Sequence, residues 1–247
     1  MNSLYKGTRT AAIALALCAL LAPRFVFSEM AVSSSDDILE RSRAKYASLK
    51  SYLDTGTVTT QYHSTFEQHP FTTYYRAPRY FFLEFRKNPK ESKERYVIWC
   101  ADGEDFQAWW STTGNASHYG RNPSVFALAS YPTKGSALQI PPLLFPKAAM
   151  QGPISGLTKY RLDGTEDVNG RPCYKLVGEL ALAYTTGAVT NAHPTTVWID
   201  VETLLVRKVF EDTSTAGSVS TTTTTFEPQA NPDLDDSHFR FTPSSAS

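Results

Sequence analysis

Only three cysteines occur in 247 residues, and no Cys-x-x-Cys pair exists. That excludes a dithiol redox enzyme of the Cys-x-x-Cys kind. Histidine is equally sparse: the five at positions 63, 69, 118, 193 and 238 show no His-x-x-x-His spacing. Metal-ligand patterns are therefore missing. There is no Gly-x-Ser-x-Gly elbow and no glycine-rich loop that would cradle a phosphate, so the motif-bearing hydrolase and nucleotide-binding classes lose their signatures. Charge of one sign is also lacking, since 24 Lys and Arg balance 24 Asp and Glu. Without a basic field, nucleic acid is not an expected partner. Past residue 28 no apolar run approaches the length of a transmembrane helix.

The one long apolar run stands at the start. Lys6 and Arg9 precede the stretch Ala11–Ala22, which is too short to span a bilayer and is stopped by Pro23 and Arg24. Val26-Phe27-Ser28 offers tolerated residues at the −3 and −1 positions of a cleavage site. Residues 1–28 are read as a Sec-type signal peptide, which places the protein in the periplasm. Leu17 stands where a lipid-attachment signal needs a small residue before Cys18, which argues against a lipoprotein. Cys100 and Cys173 remain after cleavage. An exported compartment permits them to pair, and two half-buried thiols on strands are the alternative.

From residue 29 to 243 the chain reads as a single domain, mainly β with a few helices. It opens on an amphipathic helix. Ser35-Asp36-Asp37 supplies cap candidates and acidic charge, and Leu39, Ser42, Tyr46, Leu49 and Leu53 form one stripe. Strand grammar follows in Thr57–Tyr62, Phe71–Tyr75, Arg79–Arg86, Arg95–Cys100 and Asp105–Trp110. The connections are short: Arg76-Ala77-Pro78, Asn88-Pro89-Lys90 and Asp102-Gly103-Glu104. Short links between strands indicate an antiparallel meander rather than βαβ units. The carboxylates Asp102, Glu104 and Asp105, like Asp233, Asp235 and Asp236, are read as solvated turns rather than acid–base pairs.

Residues 111–156 lose the alternation and are read as a long connection. Within them, 123–150 contains Pro123–Ala129 and Ala137–Met150, both apolar and suited to helical turns. An apolar connection of this length is expected to be a lid or plug. Strands resume in Tyr160–Asp163, Cys173–Gly178, Thr195–Asp200, Leu204–Phe210 and Ser218–Phe226, with hairpin turns at Val168-Asn169-Gly170 and Asp200–Thr203. The threonine run 221–225 is read as an exposed edge strand, Phe239–Pro243 as a last short strand, and 244–247 as a disordered tail.

Aromatic residues make up 13% of the chain, and their placement matters more than their number. Phe81, Leu83 and Phe85 share one strand face, opposite Tyr80 and Phe82, and Trp109 and Trp110 point to opposite faces. A meander with an apolar helical lid encloses a greasy cavity. Its expected lining is Phe81, Leu83, Phe85, Trp110, Phe126, Leu143, Leu144 and Phe145.

Three stretches, in order, resemble the outer-membrane lipoprotein carrier (LolA/LolB-like) superfamily. They are Arg76-Ala-Pro-Arg-Tyr-Phe-Phe-Leu-Glu-Phe85, Val97–Trp109 with its Asp-Gly turn, and Phe239-Arg-Phe-Thr-Pro243. The resemblance implies a half-open antiparallel β-barrel with an N-terminal helix and a helical lid over an apolar concavity that receives lipoprotein acyl chains. It also implies that Arg76 latches the lid, although the family has Arg-Pro directly and Ala77 intervenes here. The cysteines and the segment near 111–121 mark a divergent member. The expected function is a non-catalytic periplasmic carrier or binder of lipid or lipoprotein acyl chains, without cofactor or metal and monomeric. The alternative is an envelope-stress sensor or scaffold of the same fold, with an envelope membrane protein as its partner.

Overall fold

The computed structural model describes residues 34–147, 152–181 and 192–244. The expected signal peptide at 1–28, the end of the expected lid at 148–150 and residues 245–247 of the expected tail lie outside the described residues.

Helix α1 spans Ser35–Ala47. Its cap is Ser34, whose Oγ accepts from the Asp37 N–H at 3.1 Å, and Asp36 and Asp37 sit in the first turn, where the amide dipoles favour negative charge. Ile38, Leu39, Ser42 and Tyr46 are buried along one side. The stripe does not continue to Leu53 as a helix. Ser48 closes the last turn, with its N–H and its hydroxyl bonded to the carbonyls of that turn, and period-two burial takes over from Ser51.

Six strands follow: β1 (Ser51–Tyr62), β2 (Thr65–Arg76), β3 (Tyr80–Asn88), β4 (Glu91–Cys100), β5 (Phe106–Trp110) and β6 (Ala116–Gly120). The lid then runs through α2 (Ser124–Ala129), a 3-10 turn at Ser136–Leu138 and α3 (Pro141–Leu144). The second half contributes β7 (Leu157–Val168), β8 (Arg171–Leu180), β9 (His193–Asp200), β10 (Val206–Asp212), β11 (Ser220–Phe226) and β12 (Gln229–Ala230). A final 3-10 turn covers Asp236–Phe239.

All strands join one antiparallel sheet in the order β6-β5-β4-β3-β2-β1-β11-β10-β9-β8-β7, with β12 also pairing β1. Two meanders are thus stitched together where β1 meets β11. The sheet is open, with β6 and β7 at its edges. Laid flat at the usual ~4.8 Å spacing, β5 and β10 would stand about 29 Å apart. The lid nonetheless touches both, through Phe126 on Phe106 and Gln139 on Glu211, so the sheet is curled around it. The architecture is that of a half-open barrel.

The expected turns form as composition requires. Asn169 and Gly170 both take positive φ (52° and 78°), the backbone of a tight hairpin between β7 and β8. Asp102 is a turn residue, its Oδ1 accepting from the N–H groups of Glu104 and Asp105. Three expectations are corrected. Residues 116–120 are the edge strand β6 rather than loop. The threonine run is not an edge, because β11 lies between β1 and β10 with Thr224 fully buried. Its β-branched side chains suit an interior strand as well as an exposed one. Phe239–Pro243 forms no strand. Its aromatic rings fold onto the outside of the sheet instead, Phe239 on Tyr80 and Phe241 on Trp99 and Trp109.

Of the two readings of the cysteines, the structure has them unpaired, and both are buried. Cys100 on β4 packs in the main core, whereas Cys173 on β8 packs with Val168 and Trp198 in a separate small cluster. Burial pushes both thiols up to about 11, so neither is a ready thiolate.

One buried carboxyl sits where the two meanders meet. Asp54 on β1 is fully buried and its Oδ1 accepts from the Glu227 N–H at 2.9 Å, just beyond β11. Burial pushes its pKa from 3.8 up to about 7, against the lowering influence of that amide. The folded state therefore holds the Asp54 proton more tightly than the unfolded chain. Its contribution is complete below pH 3.8 and is lost as pH rises towards 7. Asp200 acts in a different window. Burial raises its pKa, but the Thr203 N–H and the Arg171 and Arg207 guanidinium groups outweigh that and hold it at about 2. We expect Asp54→Asn to flatten the stability profile between pH 4 and 7 and to stabilise the protein at pH 8 by up to about 4 kcal/mol. Urea unfolding at a series of pH values checks this, and a profile identical to that of the wild type would refute it.

Candidate functional site

The inner face of the sheet is assembled by alternation. On β2, His69, Phe71, Thr73 and Tyr75 are buried while the residues between them are partly exposed; on β3 the buried set is Phe81, Leu83 and Phe85. Tyr96, Ile98 and Cys100 on β4 pair with Phe85, Leu83 and Phe81, and Ala108 and Trp110 on β5 continue the rows. This gives one apolar face that water cannot be left to cover.

The lid covers it. Val125, Phe126, Ala129, Ala137, Leu138, Ile140, Leu143 and Leu144 are all buried in the same cluster as the sheet residues. At the centre lie four rings, two from the sheet and two from the lid. Phe81 meets Phe126 edge-on at 4.9 Å and Phe145 at 5.7 Å. Phe106 meets the same two at 5.4 and 5.6 Å, while Phe126 and Phe145 stack at 5.6 Å. Tyr75 adds an edge contact to Phe145 at 5.4 Å. Such pairs contribute roughly 0.5–1.5 kcal/mol each beyond their burial.

A polar tie between lid and frame is the Gln139 side chain, which donates to Glu211 at 3.0 Å, and just ahead of the lid the Arg79 guanidinium donates to the Arg121 carbonyl at 3.2 Å. Glu211 also lies 3.2 Å from His193. Past the lid, Arg43 of α1 donates to the Ile154 and Ser155 carbonyls at 3.1 Å. No residue of α2 or α3 belongs to the sheet. The lid is seated chiefly by side-chain packing.

Openings remain at both ends. One cleft of about 520 Å³ lies between Leu49, Tyr75, Pro78, Phe106, Leu144 and Phe145. At the other end a pocket of about 190 Å³ is bounded by Phe85, Tyr96, Trp110 and Tyr131. Phe81, Leu83, Phe85, Phe126, Leu143 and Leu144 are thus brought together and buried, and Trp110 and Phe145 stand partly buried at the two mouths. Phe106 and Tyr75 belong to the same set but were not singled out from the sequence. The signal was present, since Phe106 is four residues before Trp110 on one strand face and Tyr75 four after Phe71.

Arg76, the expected latch, is placed on the face away from the lid. It follows the inward Tyr75 by one residue, so its side chain leaves by the opposite face. There it donates to the Leu234 carbonyl at 3.0 Å and to Asp236 at 2.5 Å, and stacks on Tyr80 and Phe239. On that outer face the arginine holds the C-terminal segment. Arg79, across the turn, donates to the Arg121 carbonyl, two residues ahead of the lid.

Among the described residues no group of three or more His, Cys, Asp or Glu is placed to hold a metal ion. No helix among them is long and apolar enough to cross a membrane.

No family model matches the sequence, and no curated protein does. Among solved structures, the chain is similar to the lipoprotein LppX of Mycobacterium tuberculosis, at 15% identity and a TM-score of 0.46, over 82% of this chain and 99% of that one. It is similar to LprF of Mycobacterium bovis at 12% identity and 0.47, over 82% and 97%. A LolA superfamily protein of Nitrosomonas europaea matches at 10% identity and 0.37, over 84% and 98%.

We expect Arg76→Ala to speed amide exchange in residues 234–241 while leaving 123–145 at wild-type rates. Hydrogen exchange read by mass spectrometry checks this, and loosening of the lid instead would restore Arg76 as its latch.

Proposed function

We propose that the protein is a non-catalytic binder or carrier of lipid or lipoprotein acyl chains in the cell envelope, taking the chain into the space that the lid now fills. The observation that carries this reading is the nature of the lid's seat. Phe126, Phe145, Leu143 and Leu144 meet the inner face through apolar and ring contacts, and an acyl chain offers that face the same kind of contact. Displacing the lid exchanges one apolar cover for another, so the cost is small compared with exposing the sheet to water. The 520 Å³ cleft falls within the roughly 300–1,000 Å³ of ordinary ligand sites. It opens directly onto Phe145 and Phe106. The expected export by residues 1–28 supplies the compartment.

The test is a titration of purified protein with cis-parinaric acid, whose fluorescence rises in an apolar site. We expect saturable binding, with faster amide exchange in 124–145 in the bound form as the lid is displaced. Failure of the probe to enter the folded protein, or binding that leaves lid protection unchanged, would count against the carrier. Specific capture of an envelope membrane protein, without any lipid uptake, would favour the sensor or scaffold.

A further inference from the structure

The cleft at the Phe145 end of the lid differs from the other openings in its charge. Arg79, Arg121 and Lys147 line it, and no carboxylate does. The pocket beside Trp110 mixes Lys87, Arg95 and Lys134 with Glu94. The groove along β2 and β3 sets Lys87 against Glu67 and Glu94, and the one beside β11 sets Lys134 against Glu67. In a chain with equal numbers of acids and bases, an acid-free rim of three cations is a local bias.

The cations are not equivalent. Arg121 is paired with Glu104, which lies outside the lining. Among the described residues neither Arg79 nor Lys147 has a carboxylate partner within ion-pair distance. Arg79 is half-buried at the β2–β3 turn, 6.0 Å above the Phe106 ring, and its one hydrogen bond goes to the Arg121 carbonyl. Lys147 is exposed just past Phe145 and Pro146. A guanidinium above an aromatic floor at the mouth of an apolar cleft offers N–H donors where solvent screening is weakened.

We infer that the cleft takes the head of an anionic amphiphile, a carboxylate or phosphate group joined to an apolar chain. The head rests between Arg79 and Lys147, and the chain passes Phe145 towards the ring cluster under the lid. The assignment rests on the proposed lipid binding and narrows it: the ligand is charged at one end and enters head-out from this side. A wholly neutral lipid would leave the two cations without a role.

The experiment compares cis-parinaric acid with its methyl ester at pH 8, where the free acid is ionised. Wild-type protein should bind the acid about tenfold more tightly than the ester. Arg79→Gln combined with Lys147→Gln should bring the affinity for the acid to that for the ester measured on the same variant. Lys147→Glu, a change at an exposed side chain that spares the fold, should weaken the acid alone. Dodecyl phosphate should displace the acid, and millimolar inorganic phosphate should not. Equal binding of acid and ester to the wild type overturns the inference while lipid binding stands, as does a preference that survives in the double variant. Displacement by inorganic phosphate overturns it in favour of a plain anion site. If neither probe binds, lipid binding itself fails and this inference falls with it.

Discussion

The packing of Phe126 and Phe145 against Phe81 and Phe106 is the contact on which the rest of the molecule turns. A curled sheet with an apolar inner face has to be covered, and burying each such side chain is worth roughly 1.5–3 kcal/mol. The lid supplies that cover without adding a strand. Its helices are short, six residues in α2 and four in α3, below the length at which a helix holds itself together in water. They persist because the sheet beneath them takes up their apolar side chains. A cover held in this way is replaceable by anything that presents equivalent apolar surface.

The outer face is organised differently, and the contrast explains why one layer is the exchangeable one. Outside β3–β5, Trp99 and Trp109 are sealed by Phe241, and Arg95 lies over both Trp109 and Phe241 while pairing with Glu84 at 3.2 Å. Arg76 ties down the neighbouring stretch from Leu234 to Phe239. On the other half, Asp200 accepts from Arg171, Arg207 and the N–H groups of Glu202 and Thr203. These contacts combine charge, hydrogen bonds and stacking, and an apolar ligand reproduces none of them. The frame is pinned from outside by directional contacts. The inside is closed by non-directional ones.

Helix α1 joins the two regimes. Its Tyr46 hydroxyl accepts from the Val206 N–H, its Ser42 hydroxyl donates to the Leu204 carbonyl, and it packs against α3 of the lid. The helix is thereby tied to the β9–β10 turn and gives the lid a fixed neighbour. The charge on the protein follows the same division. Many of its acids and bases are matched in pairs around the frame, whereas the charged residues that line the cleft beside Phe145 are all cations.

Local pattern was enough to reveal the meander, the amphipathic start, the turns at Asp102-Gly103 and Asn169-Gly170, and the apolar set of Phe81, Leu83, Phe85 and Phe126. Each depends on residues a few positions apart, where periodicity and turn chemistry act. Pairings between distant segments were not legible. The threonine strand reads the same whether it lies at an edge or between β1 and β11, and the Phe-x-Phe end reads as a strand until a groove of tryptophans is there to receive it. Cys100 and Cys173 invite a bond, but one packs in the main core and the other in a separate cluster with Val168 and Trp198. Arg76 shows the limit most sharply: it stands one residue out of phase with the inward Tyr75, and only the register of β2 reveals which face it serves. What the amino-acid order determined by itself was which surfaces are apolar. Which of those surfaces meet was decided by the curl of the sheet, because only there do residues far apart in the chain compete for the same partner.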